Sequence, residues 1–373
     1  MLSPPCGMPK KPVQTCNALS LKPFISLLPL GNPLLLAAAV VAVIIGGGCV
    51  RHDEVGEQNQ YEAIIFETES PLLKEDLTKT PLPYASQFGV FAFMQNDLNW
   101  SKNKWTPNMM FNKMVSVIDN NGNCGYNNLV YWPSSTNKVS FWSYYPYNES
   151  ASLCERGKYS TYTVSSKDVP DIRFTVDDGQ TDLMVSGLVR NKKSSDNSGV
   201  VSLAFNHVLS LIDFTILKAG DVNDDFTIIL RSISFENIYL TGVYRNNFSS
   251  YYDSRDSYWD LRNSLRRSLP VYTGTQEVTS SDSPVLHNTN ELSIMPIPQT
   301  LVNTEARLRI VYSLSATGLG ISETTNVFDF PFSGDWQPNH HYTYSFQITP
   351  NYPIQFTVSC SEWGTAHTID LTN

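Results

Sequence analysis

The stretch from Tyr342 to Cys360 admits few folds. Tyr342, Tyr344, Phe346 and Ile348 alternate with Thr343, Ser345 and Gln347; after Tyr352-Pro353, Ile354, Phe356, Val358 and Cys360 alternate with Gln355, Thr357 and Ser359. Successive side chains of an extended chain point to opposite faces, so each run sets an apolar face on a core and a polar face outward. The short connection Pro350–Pro353 turns the two runs into a hairpin.

The same period recurs along the chain. Leu308, Ile310, Tyr312 and Leu314 form an inward face with Arg307 and Arg309 outward. Ile172, Phe174 and Val176 alternate and meet the turn Asp177-Asp178-Gly179. Val139–Tyr145, Phe88–Met94 and Tyr61–Phe66 are further short strands, and Asn120-Asn121-Gly122 is a hairpin turn after the apolar stretch Met114–Ile118. Helical periodicity is scarce. Aromatic residues make up 12% of the chain, which suits pleated, half-buried surfaces. Many short strands separated by turn residues predict an all-β chain of antiparallel β-sandwiches. The polar run Arg190–Gly199 has nothing to bury and marks a domain boundary. A second polar stretch, Arg245–Arg267, reads as a surface insertion or a short helix.

The first residues belong to no fold. Lys10, Lys11 and Lys22 precede an apolar run from Leu34 to Ile45, and Gly46-Gly47-Gly48-Cys49 follows. A basic flank, an apolar core and small residues before a break make a secretory signal, and the run is short of the roughly 20 residues of a membrane span. Three glycines before Cys49 resemble a lipobox, with Gly46 where Leu is usual. Cys49 is thus the expected lipidation site, an acyl anchor that holds a chain to a membrane without a spanning helix. Losing residues 1–48 removes three lysines and no acid, so the net charge of −9 becomes more negative still. An acidic surface repels phosphates, which argues against a nucleic-acid partner. The expected division is a lipoprotein signal over 1–48, one β-sandwich over 49–190 and another over 200–373. Cys124, Cys154 and Cys360 remain beside the lipid site, an odd count that does not make a disulfide framework. Cys360 falls on an apolar strand face, and the sequence leaves a Cys124–Cys154 bridge open.

In order, the landmarks are Tyr61–Phe66, Thr78-Lys79-Thr80, Phe88-Gly89-Val90-Phe91-Ala92-Phe93, Tyr131-Trp132-Pro133 and Val139–Tyr147. Asp182-Leu183-Met184-Val185, Leu203–Ser210, Pro298-Gln299-Thr300, Trp336-Gln337-Pro338 and a last strand closing at Trp363 complete them. This ordered set resembles the fimbrillin family of Bacteroidetes, in its Mfa-like branch, over the whole mature chain. The acids Asp53 and Glu54 just after Cys49 resemble a signal for display on the outer face of the outer membrane in that group. The resemblance implies two transthyretin-like β-sandwich domains and assembly with other fimbrial subunits by strand exchange. It also implies a displaceable first strand, here Tyr61–Phe66 with Tyr61, Ile64 and Phe66 as its apolar positions. A protease cut after a basic residue would release that strand. Lys74 and Lys79 are the candidate processing sites, since no Arg lies between the strand and Gly89. An uncut subunit fits an anchor or tip role. The implied product is a cell-surface adhesion subunit that meets a host or bacterial surface ligand.

No Gly-x-Ser-x-Gly, His-Glu-x-x-His, P-loop or Cys-x-x-Cys occurs, so no catalytic residue, metal or cofactor is expected. Asp221-Val222-Asn223-Asp224-Asp225 begins like a calcium loop, but Phe226 and Ser232 occupy the positions that need Gly and Glu. His340 and His341 are strand neighbours that face opposite ways. His207, inside an apolar strand, is expected to be a hydrogen-bonded structural residue. Trp100, Trp105 and Trp259 are expected to pack; if they stacked on sugars instead, the chain would be a surface lipoprotein that binds glycans.

Overall fold

The apolar run at Phe88–Phe93 has no polar alternate, and the fold shows why. The computed structural model describes residues 62–68, 82–101, 104–149, 152–176, 181–219, 225–246, 257–287, 290–350, 352, 354–363 and 369–370. In it the strands Gln87–Met94 and Val139–Tyr145 lie side by side, antiparallel, at the centre of a seven-stranded sheet, with Phe91 opposite Trp142 and Ala92 opposite Phe141. Both strands are buried on both faces. Phe88, Val90, Ala92 and Phe141 join one apolar core; Phe91, Phe93, Trp142 and Tyr144 join the other. A strand covered twice needs apolar residues at every position.

Outward from that centre, Met110–Val117 and Cys124–Gly125 extend one side, and Met184–Ser186 and Phe205–His207 the other; Val189–Lys192, from the polar run, also pairs with Val139–Tyr145. Met110–Val117 begins earlier than the sequence pattern indicates. Asn112 takes a left-handed φ of 46° and the ladder slips between Val90 and Ala92, so the alternation breaks there.

The second core lies between two further sheets. One runs Arg266–Glu277, Thr227–Tyr239, Arg307–Ala316, Ile321–Pro331, all antiparallel. The other is built on Leu211–Lys218, His340–Ile348 and Gln355–Glu362. The predicted hairpin is present, with Tyr344 opposite Val358, and Phe214 faces Phe235 across the core at 5.9 Å. Two pairings depart from the antiparallel expectation. Leu211–Lys218 runs parallel to His340–Ile348, and Ile65–Thr68 runs parallel to Val200–Leu203. Thr227–Tyr239 escapes a simple period-two pattern because both its ladders shift between Leu230 and Ser232. The buried set therefore moves from Ile228 and Leu230 to Ile233 and Phe235.

A four-stranded sheet ties the two halves of the sequence together: Tyr258–Asp260, Thr241–Arg245, Asp171–Thr175 and Leu153–Cys154. Its ends hold a buried charge network. Arg245 donates to Asp171 Oδ2 at 2.8 Å and to Asp260 Oδ2 at 3.0 Å, and all three are buried. Gly157 N and Asn246 N donate to the two oxygens of Asp171, both at 2.9 Å. Tyr159 lays its ring 4.7 Å from the Arg245 guanidinium. This corrects the expectation for Arg245–Arg267: its described residues form strands rather than a helix, and Arg245 and Asp260 are buried, not surface-borne. Ion pairing let polar residues into the interior, which residue polarity alone could not signal.

Candidate functional site: the seat of the first strand

Residues 62–68 enter the molecule between two neighbours. On one side Ile65–Thr68 pairs with Val200–Leu203, Phe66 opposite Val201. On the other, Ile64 N donates to Val130 O at 2.9 Å, Trp132 N to Glu62 O at 2.8 Å and Thr68 N to Gly122 O at 2.8 Å. The segment is therefore bonded along both edges, not appended to a rim. Its side chains alternate as the sequence predicts: Ile64 and Phe66 are buried, while Ile65 is 50% exposed. Phe66 meets the rings of Tyr126 and Phe141, each at 5.7 Å, and Tyr126 donates its hydroxyl to Ile64 O at 2.7 Å.

A left-handed glycine stands at each end of this seat. Gly122, φ +84°, passes Thr68 so closely that a Cβ would lie 2.4 Å from the Thr68 carbonyl oxygen. Gly199, φ +77°, does the same beside the Glu62 carboxylate, and Trp132 donates its indole N–H to Gly199 O at 3.0 Å. The Asn-Gly turn singled out in the sequence thus serves a second purpose, since it makes room for the first strand. The sequence offered no sign of Gly199 or of the parallel partner Val200–Leu203, which lies about 130 residues away. Ser202 donates to the Glu67 carboxylate and adds a polar tie on the outer face.

Of the residues expected at this site, Ile64 and Phe66 occupy the seat, with the regular ladder at Ile65–Thr68 rather than Tyr61–Phe66. Tyr61, Lys74, Lys79 and Cys49 lie outside the described residues. Cys124, Cys154 and Cys360 are free thiols. Cys124 lies beside the end of the seat, where burial pushes its thiol up to about 12.

The other sequence candidates sit apart from the seat. His207 Nδ1 lies 2.8 Å from Asp182 Oδ2 and its ring stacks on Trp363 at 3.7 Å. His341 Nε2 lies 2.6 Å from Asp213 Oδ2, whereas the His340 ring turns to Pro338 O. Hydrogen bonds from His341 and Ser293 outweigh burial and hold Asp213 below the usual carboxylate range. Trp100 packs edge-on to Phe93, and Trp105 and Trp259 rest against the larger core. Among the described residues no three His, Cys, Asp or Glu converge to hold a metal.

All-β layers around two cores, with an early strand bonded on both edges, are the architecture of a β-sandwich protein. A model of fimbrillin-like proteins matches residues 80–363, and the chain belongs to that family. It is 23% identical over 321 residues to the fimbrium subunit Fim1C of Phocaeicola vulgatus, covering 77% of this chain and 83% of that one. The crystal structure of a fimbrial protein from Bacteroides vulgatus superposes with a TM-score of 0.60 at 18% identity, over 81% of this chain and 99% of that chain, and so shares the fold.

Proposed function

We propose that the chain is a subunit of a cell-surface fimbrium that joins its neighbours by exchange of the first strand. The observation that supports this is the seat itself. Withdrawing residues 62–68 would expose unpaired backbone groups on Val200–Leu203 and on the Gly122–Trp132 side, above an apolar pocket vacated by Ile64 and Phe66. A strand from another subunit with apolar residues at alternate positions restores both the pairing and the burial. Lys74 and Lys79 supply the processing sites, and a diacylated Cys49 tethers the uncut subunit to the outer membrane. On this proposal the chain divides into sandwiches over 49–190 and 200–373 and carries out no catalysis; its partners are other fimbrial subunits and a ligand on a host or bacterial surface.

The test treats the purified mature chain with a limiting amount of trypsin and follows its mass and its state of association. Cleavage after Lys74 or Lys79, departure of the first strand and growth of oligomers are expected, while the Lys74→Gln/Lys79→Gln variant stays monomeric. A cleaved chain that loses its first strand and remains monomeric at high concentration would overturn the proposal.

A further inference from the structure

Away from the strand seat, a cleft of about 650 Å³ opens where Phe205–His207, Tyr258–Asp260 and the segments around Pro298 and Trp336 meet. That volume lies within the roughly 300–1,000 Å³ of small-molecule sites. No Asp, Glu, Lys or Arg lines it, on a chain whose net charge is −9. Tyr258 stands at the cleft half exposed, beside Trp259. The Trp259 indole N–H is committed to Val208 O at 2.7 Å and its ring is wedged against Tyr244 and Phe174, so this aromatic wall is fixed in place.

The polar side chains of the cleft are the amides of Asn206, Gln299, Gln337 and Asn339, the hydroxyls of Ser257, Thr300, Tyr244 and Tyr258, and the His207 ring. Asn339 holds a left-handed φ of 59°; its N–H donates to Leu209 O, and its carbonyl accepts from Trp363 N, both at 2.9 Å. Its side-chain Oδ1 is buried and accepts no hydrogen bond. Asn206 and Gln337 bring further amides. Part of the backbone along the cleft is already used, since Gln299 and Trp336 bond each other in both directions and Val208 N donates to Leu183 O, while Phe205–His207 and Tyr258–Asp260 are edge strands of their sheets. The side chains thus offer aromatic faces, amides, hydroxyls and one imidazole.

From this we infer that the cleft is a binding site for a neutral saccharide. A sugar ring offers an apolar C–H face to Tyr258 or to Trp259, which alternate across their strand, and hydroxyls that both donate and accept, matching the orphan Asn339 Oδ1 and the amides of Asn206 and Gln337. An unpaired buried acceptor gains most from a ligand that donates to it. The absence of Asp, Glu, Lys and Arg among the lining residues selects uncharged sugars over sialylated or sulfated ones. The inference goes beyond strand exchange and requires no assembly, because the site lies within one subunit.

The experiment uses the uncut mature chain and a saturation-transfer NMR panel of lactose, N-acetyllactosamine, methyl mannoside, cellobiose and N-acetylglucosamine. Sialyllactose and a neutral hexapeptide serve as controls, with titration of any binder. At least one neutral sugar is expected to bind, with sialyllactose no tighter than lactose. Asn339→Gly keeps the left-handed backbone and removes only the amide; it and Tyr258→Ala are each expected to weaken binding at least tenfold with an unchanged melting temperature. No sugar binding at millimolar concentration, binding indifferent to both variants, or binding of the peptide alone would overturn the inference. None of these outcomes bears on trypsin-induced assembly, so the two proposals fail separately.

Discussion

Gly122→Ala tests whether the first strand is held as a unit separable from the rest of the fold. At φ +84° an alanine sits in the left-handed region, which costs roughly 1–2 kcal/mol. Its Cβ would also lie 2.4 Å from a backbone oxygen, that of Thr68, which has no rotamer by which to escape. The strand end must withdraw, and the 2.8 Å bond from Thr68 N to Gly122 O is lost, at a net cost of about 1 kcal/mol. Together these reduce the free energy of opening residues 62–68 by about 2–3 kcal/mol, a roughly 30- to 150-fold more populated open state. Hydrogen-exchange mass spectrometry on the mature chain reads this directly. Peptides covering 62–68 should exchange faster by that factor, while those covering Arg307–Ala316 hold their protection. Gly320→Ala, at φ +72° with nothing within 4 Å of the added carbon, is the control for backbone strain alone. Unchanged exchange at 62–68 would refute the tight passage at Gly122, and equal acceleration at Arg307–Ala316 would show that the strand opens only with the whole molecule.

Two further predictions concern the charges. Arg245→Met leaves Asp171 buried without its guanidinium, and Asp260 with that of Arg262 alone, and should lower unfolding free energy by about 3–5 kcal/mol in urea titrations; adding Asp171→Asn should restore part of it. In acid, Asp260 is held below the usual carboxylate range by Arg262 and then Arg245, and Asp213 is held below it as well. Both are depressed relative to the unfolded chain, so their contribution is whole above about pH 4 and is lost as the pH falls further. Burial pushes Asp171 the other way, so its contribution grows as the pH falls toward about 4 and is constant below that. The melting temperature should therefore drop below about pH 4, and drop less steeply in Asp260→Asn. A flat or rising acid limb in the parent chain would contradict the assignment.

How far the sequence revealed the fold depends on what each strand touches. His340–Ile348 and Gln355–Glu362 were legible because each has one wet face, and Arg307–Ala316 because Arg307 and Arg309 mark its outer side. Phe88–Phe93 announced a strand but not its double cover, since a continuous apolar run does not say how many layers bury it. Thr227–Tyr239, the longest strand among the described residues, was hidden by its bulges. The first strand was visible as alternation at Ile64 and Phe66, yet nothing local told that its partner would be Val200–Leu203 or that the two would run parallel. Long-range pairing has no short-range signature. The charge network was missed for a related reason: Arg245 and Asp260 look like surface residues until Asp171 arrives from 74 residues upstream of Arg245. The cleft was not legible as a site, because its walls come from six separate stretches of chain.

The two-sided bonding of residues 62–68 also sets how the molecule bears tension. A pull along the chain through the residues before Glu62 runs lengthwise down the strand, so the bonds to Val130, Gly122 and Val200–Leu203 are strained at once, and Phe66 must be dragged past Tyr126 and Phe141. Rows loaded in this shearing sense break together, whereas rows peeled from one end break singly, and resistance to force follows the rate of that joint rupture. A subunit gripped this way withstands endwise traction yet lets go of the same segment when it is lifted sideways from a freed end.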